Sequence, residues 1–135
     1  MIRLFRYADL DNINANIFSQ DKGFKDAFKT GEAFSLLDGD NVMAIMHYLK
    51  YIGNNITGSF IISKDIRICH IKELKRALYN WLDVENIDRM QTISEACDTI
   101  DKWHEFLGLH IEGPRLERYA YGKDYRLWAW VKNGC

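Results

Sequence analysis

The sequence predicts an α+β domain, with a central mixed and mostly antiparallel sheet flanked by helices, and three observations carry that expectation. Strand-like segments joined by polar turns run from Ala33 to Ser63, the pattern of an antiparallel meander. Two segments with apolar residues at helical spacing follow, separated by the strand-like stretch Arg89 to Ile93. The chain then closes on alternating runs around Gly122-Lys123-Asp124, as a hairpin does.

Taken in order, Ile2 to Tyr7 sets Ile2 and Leu4 against Arg3 and Arg6, which fits a short strand. Asp9 or Asp11 can then cap a helix carrying Ile13, Ile17 and Phe18. A second short helix is expected over Asp21 to Lys29, where Phe24, Ala27 and Phe28 share a face and Gly31 provides a stop. Ala33 to Leu37 and Val42 to Tyr51 read as the arms of a hairpin turning at Asp38-Gly39-Asp40-Asn41. Its second arm is apolar on both faces and therefore belongs inside the sheet. Asn54-Asn55 turns the chain into a third strand, Gly58 to Ser63. Ile71, Leu74, Leu78, Trp81 and Leu82 then form one helical stripe, with Lys72, Lys75 and Arg76 facing away. After Arg89 to Ile93, Ser94 can cap a helix whose buried face is Ile100, Trp103 and Leu107 and whose stop is Gly108. His110 to Glu112, Arg115 to Tyr121 and Tyr125 to Val131 complete the strands.

Composition narrows the function. The 135 residues suit a single domain, 1–135, and 47% hydrophobic residues with 13% aromatics are enough to build a core. Eighteen basic against nineteen acidic residues give a net charge of -1, so no global field draws the chain to nucleic acid, and such a partner is not expected. The basic residues Lys72, Lys75 and Arg76 read as a solvated helix face. No run approaches the roughly 20 apolar residues of a membrane helix, and none resembles a signal peptide, so no membrane partner is expected. Cys69, Cys97 and Cys135 are odd in number and widely spaced, which suits free thiols in a reducing cytoplasm. Cys69 and Cys97 read as small buried hydrophobes, since no Cys-x-x-Cys or His-Glu-x-x-His offers a metal site. A nucleophilic triad is equally unsupported, since no Gly-x-Ser-x-Gly elbow or telling carboxylate pair is present, so hydrolase chemistry is set aside.

The order strand, helix, helix, three strands, helix, strand, helix and two strands resembles the GNAT acyltransferase superfamily over essentially the whole chain. The run Asp101-Lys102-Trp103-His104-Glu105-Phe106-Leu107-Gly108-Leu109-His110-Ile111-Glu112-Gly113 resembles that family's fourth helix and its exit. Tyr125-Arg126-Leu127-Trp128 resembles the last strand that follows. Within the superfamily the chain is most similar to short GNAT-like proteins of T7-like tailed phages. There, too, the strand before the third helix runs apolar-apolar-Ser/Thr-Ser-Asp and the glycine motif is missing.

The resemblance implies a site for acetyl-CoA. In the family a loop reading Arg/Gln-x-x-Gly-x-Gly/Ala brings bare amides at a helix N-terminus to a pyrophosphate, and glycine removes the side chains that would block it. Here Ile62 and Ser63 align with the preceding strand, and Arg67-Ile68-Cys69-His70-Ile71-Lys72 falls on the motif. Arg67 is retained, while His70 and Lys72 stand where small residues belong. These side chains either supply positive charge to a phosphate or fill the pocket with their bulk. Cys97 stands where the family has an asparagine that contacts the coenzyme.

The family's general acid is a tyrosine on the fourth helix, and the aligned position holds His104, whose imidazole can donate a proton near neutral pH. A partly exposed helix histidine is the plain alternative. The base that deprotonates an ammonium substrate would be Glu95, His47 or a water held by either. Glu95 equally suits a helix first turn, and His47 equally suits a hydrogen-bonded place in the core. Two functions therefore stand. One is an acetyl-CoA-dependent N-acetyltransferase acting on an amine of a protein, peptide or small molecule, its acceptor groove shaped by the loops near Phe18 to Glu32 and Tyr119 to Asp124. The other is a non-catalytic module that binds a protein partner in phage assembly or in modulating a host factor.

Overall fold

Seven segments that alternate in polarity or run apolar pair edge to edge into one sheet in the computed structural model, which describes residues 1–15 and 26–133. The elements are β1 (Ile2–Leu4), α1 (Asp9–Asn12), β2 (Glu32–Asp38), β3 (Asn41–Lys50), β4 (Asn55–Ile62), α2 (Ile68–Val84), β5 (Arg89–Glu95), α3 (Asp98–Phe106), β6 (His110–Ala120) and β7 (Lys123–Val131). The strand order is β1-β2-β3-β4-β5-β7-β6. Every neighbouring pair is antiparallel except β4 and β5.

The hairpin expected at the Asp-Gly turn is present, with Asp38 paired to Asn41 across Gly39 and Asp40. Gly39 takes φ +61°, a left-handed conformation that glycine adopts without strain. As its two-sided apolar pattern requires, β3 lies inside the sheet and is buried from Val42 to Tyr48. Its residues feed three clusters, with Met43 and Ala44 packing beside Leu36 and Leu74 in one of them. Ile45 joins Leu10, Ile13, Phe28, Val42 and Ile61, whereas Met46 joins Leu78, Leu82, Ile87, Met90 and Trp128. The stripe of α2 is the one the spacing predicts, with Ile71, Leu74, Leu78 and Leu82 all buried and Trp81 half-buried. Burying those four side chains contributes about 1.5–3 kcal/mol each, more than the intrinsic helical preference of the segment.

Several expectations change in detail. The first strand ends at Leu4 rather than Tyr7, because Arg3 turns inward in a two-pronged pair with Asp9 at 2.7 Å on both prongs. Asp9 also accepts from the Arg6 amide at 3.0 Å and the Ser35 hydroxyl at 2.8 Å. It therefore joins β1, β2 and α1, and neither Asp9 nor Asp11 caps the helix, whose N-cap is Ala8 with no side-chain capping bond. That helix is a single turn, and Ile17 and Phe18 lie outside the described residues. Of the helix expected over Asp21 to Lys29, residues 21–25 likewise lie outside. Lys29 donates to the Asp26 carbonyl at 3.0 Å, and Gly31 follows at φ +74°. The last helix starts later than expected. Cys97, not Ser94, is its N-cap, because β5 continues through Glu95 and keeps Ser94 in the sheet. Its most buried side chain is His104, with Ile100 and Trp103 only half-buried.

Candidate functional site

The site is organised by a gap in the sheet. The parallel pairing of β4 with β5 covers Asn55 to Thr57 against Arg89 to Gln91 and no further. Beyond it, β4 runs on to Ile62 and β5 to Glu95 without pairing to one another. Ser94 lies on the part of β5 that has left β4, and on its other edge it is paired with Arg126 of β7. Strand alternation puts it on the same face as Thr92, while Ile93 and Glu95 take the other.

The helix α3 projects His104 toward that strand. Its Nδ1 is 2.8 Å from the Ile100 carbonyl, one helical turn back, and its Nε2 is 2.9 Å from Ser94 Oγ. A carbonyl only accepts, so Nδ1 carries the proton and Nε2 of the neutral ring accepts from the Ser94 hydroxyl. Burial lowers the His104 pKa below its ordinary 6.5, and the Ile100 carbonyl and nearby Asp101 oppose that shift without reversing it. The imidazole is 5% exposed and sits between aromatic rings, with the Phe60 centroid at 6.1 Å and that of Trp128 at 5.2 Å. The plain reading of a partly exposed histidine is thus replaced by a buried one. The ring is set to take a proton from Ser94 rather than to give one. The Trp128 indole N–H, beside this ring and 1% exposed, has no hydrogen-bond partner among the described residues. Buried donors of this kind ordinarily find an acceptor.

The N-terminus of α2 is built differently from a bare-amide cradle. His70 is folded back, with Nδ1 accepting from the Arg67 amide at 3.0 Å and Nε2 donating to Asp38 Oδ2 at 2.9 Å. Arg67 reaches the same carboxylate oxygen at 3.2 Å. The His70 hydrogen bond, against a smaller opposing effect of burial and helped by Arg67, holds the Asp38 carboxyl below its ordinary pKa. With these two contacts the His70 ring closes the turn that opens α2 and is itself 6% exposed. A depression of about 310 Å³ lies here, bounded by Asp38, Arg67, Cys69, His70 and Glu73.

Side-chain charge is concentrated one turn further along. Lys72, Lys75 and Arg76 line a depression of about 360 Å³ with Tyr79. Lys75 Nζ lies 5.1 Å from the centroid of Phe106 on α3, and the Tyr79 hydroxyl donates to the Leu107 carbonyl at 2.8 Å. The residues that line the depression all belong to α2, which meets the end of α3 through Lys75 and Tyr79. Among the described residues, Lys72 and Arg76 are exposed and have no ion-pair partner.

The remaining candidates are placed apart from one another. Ile71 is fully buried in the core stripe, and Ile62 packs with Leu36 and Leu74. Ser63 is 2% exposed, and its hydroxyl accepts from the Asp65 amide at 3.1 Å, closing a local turn. Cys97 makes no side-chain capping bond. Cys69 is exposed and Cys97 half-buried, which corrects the expectation of buried thiols: Cys69 sits on the outward side of the first turn of α2. His47 is a core histidine, 5% exposed, with Nε2 at 2.6 Å from the Thr30 carbonyl and its ring against Phe28. Glu95 pairs with Lys123 at 3.5 Å on the face opposite Ser94, so the structure does not bring Glu95 and His104 together.

Two parts of the site escape a reading of the sequence. Asp38 looks like a turn residue, and its partner is 32 positions away. Ser94 looks like a helix cap, and its tie to His104 becomes visible only once β5 and α3 are placed.

No family model matches the chain, and no curated protein matches it. Solved structures do. The ribosomal-protein-S18-alanine N-acetyltransferase from Escherichia coli matches with TM-score 0.75 at 16% identity, over 97% of this chain and 92% of that one. A variant of the spermidine N-acetyltransferase SpeG from Vibrio cholerae matches with TM-score 0.69 at 15% identity, over 97% and 94%. An acetyltransferase (GNAT family) from Bacillus anthracis matches with TM-score 0.70 at 13% identity, over 98% and 95%. At such identities the likeness speaks for the fold, and it covers nearly the full length of both partners in each comparison. With its mixed seven-stranded sheet, parted strands β4 and β5 and flanking helices, the chain has the GNAT acyl-CoA N-acyltransferase fold.

Proposed function

We propose that the chain is an acetyl-CoA-dependent N-acyltransferase that acetylates an amine on a protein or small molecule. The observation that carries this reading is the Ser94–His104 pair at the gap between β4 and β5, in a fold shared with N-acetyltransferases. The donor set fits the phosphates of the coenzyme through side chains. Lys72, Lys75 and Arg76 would hold them in the depression along α2, and the amides at the start of α2 would contribute less, since His70 occupies one of them. When bound, the coenzyme supplies the activated thioester. The protein supplies a neutral imidazole, shielded from water, that takes up a proton through Ser94 Oγ. Glu95, on the opposite face, would attract an ammonium acceptor by exchanging its present partner Lys123.

Isothermal titration with acetyl-CoA, run beside thermal melting, tests the reading, because a ligand bound only by the native state raises its stability. Binding with a raised midpoint supports it. No binding at millimolar acetyl-CoA removes it.

A second reading is favoured by one observation, the closing of the α2 N-terminus by His70 and Asp38. On that reading the chain is a non-catalytic GNAT-fold module that binds a protein, in a phage-encoded setting such as assembly or modulation of a host factor. It gains support if acetyl-CoA fails to bind while a defined partner is captured by the folded chain and not by a heat-denatured control.

A further inference from the structure

We propose that Ser94 is an acyl-accepting nucleophile with His104 as its base, so that transfer runs through an ester on Ser94. The inference deepens the acyl-transfer reading and rests on it. Four features on α3, β5 and β7 carry it. Ser94 Oγ stands 2.9 Å from His104 Nε2, within reach for proton transfer. The ring is held from behind at 2.8 Å by the Ile100 carbonyl, which fixes the tautomer that leaves Nε2 free to accept. Ser94 is only half-buried, on the stretch of β5 that has left its parallel partner, while the imidazole behind it is shut away from solvent. The fourth is the Trp128 N–H beside the same ring, a buried donor with no acceptor among the described residues. A nucleophile, a base and a third group that orients the base make up the constellation of nucleophilic catalysis, assembled here without an elbow motif.

The chemistry balances without a further reagent. Ser94 Oγ attacks the carbonyl carbon of an acyl thioester or ester, and its proton passes to His104 Nε2. The new C–O bond forms as the C–S or C–O bond to the leaving group breaks. The leaving group takes the proton from the imidazolium, which returns His104 to its neutral state. A neutral amine then attacks the serine ester and loses its proton to Nε2. The C–O bond to Ser94 breaks, and the serine oxygen recovers that proton.

The test uses the full chain with p-nitrophenyl acetate, an activated ester that carries no nucleotide, and a serine-directed fluorophosphonate, each followed by intact-mass and peptide mapping. Wild type is expected to gain one group per chain, on the peptide containing Ser94. Ser94→Ala should gain none, and Ser94→Cys should still be acylated by the ester. His104→Gln should slow modification by about 10²-fold or more. If His104→Gln does not fold by circular dichroism, the contrast between Ser94→Ala and Ser94→Cys decides. An unmodified wild type, modification at another residue, or a rate in folded His104→Gln equal to wild type would overturn the assignment. Because neither probe contains the coenzyme, the two ideas separate. Failure to bind acetyl-CoA with Ser94 reactive removes the coenzyme alone, and binding of acetyl-CoA with Ser94 inert leaves direct transfer to the amine.

Discussion

His104 is held neutral in the folded chain, so unfolding lets it bind a proton that the native state refuses. Its folded pKa lies below the ordinary 6.5, so this contribution is fully present above that value and is lost as pH falls below it toward the folded pKa. Across that window stability should drop by up to about 1.4 kcal/mol per pH unit from this group alone. Urea titrations at a series of pH values should show a shallower loss in His104→Gln, and equal slopes would count against the burial argument. Asp9 is a second residue with a definite expectation. Burial raises its pKa, but the hydrogen bonds from Arg3, the Arg6 amide and Ser35 outweigh that and leave it lowered. Asp9→Asn keeps the shape and removes the charge facing Arg3, and should destabilise by about 2 kcal/mol, less than for a fully buried pair because Arg3 is partly exposed. Thermal melting reads this directly.

Among the elements, the contact of α2 with the end of α3 turns on one glycine. Gly108 has φ +87°, and a Cβ there would collide with the Tyr79 hydroxyl, which donates to the Leu107 carbonyl. Gly39 also has positive φ but nothing near its would-be Cβ. Gly39→Ala should therefore show backbone strain only, about 1 kcal/mol, and Gly108→Ala should lose clearly more, with the Tyr79 hydrogen bond broken. Equal midpoints would sink the steric argument. The elements were also the part most legible beforehand. The α2 stripe follows from 3.6-residue spacing, and the interior position of β3 follows from its two-sided apolarity, both local patterns. Ser94 was misplaced because serine is a good cap in any sequence, and only the extra length of β5 withdraws it from that role. The interplay of Asp38 with His70, and that of Ser94 with His104, depends on how distant segments meet, which no local periodicity encodes.

For the whole molecule, the net charge of -1 conceals an uneven distribution. Lys72, Lys75 and Arg76 gather beside one groove, while Asp38 and Glu73 face the depression at the start of the same helix. If the groove holds the coenzyme phosphates, acetyl-CoA affinity should fall as salt rises toward a Debye length of about 3 Å at 1 M. The double variant Lys72→Glu, Arg76→Glu should abolish the ligand-induced rise in melting midpoint without lowering the midpoint of the free protein. Unchanged binding would place the phosphates elsewhere.

The three-position pairing of β4 with β5 has a mechanical consequence. From Thr57 to Ile62 and from Gln91 to Glu95 the two strands part from one another, over about 17 and 13 Å at the usual rise per residue, while β4 stays paired to β3 and β5 to β7. The seam at Ile56 and Met90 therefore joins two half-sheets, β1 to β4 and β5 to β7. A rotation of about 10° between the halves moves the far ends of β4 and β5 by roughly 2–3 Å at those lengths. Small adjustments in the packing beneath the seam are thereby magnified at the mouth beside Ser94, where the width of the opening decides what can enter.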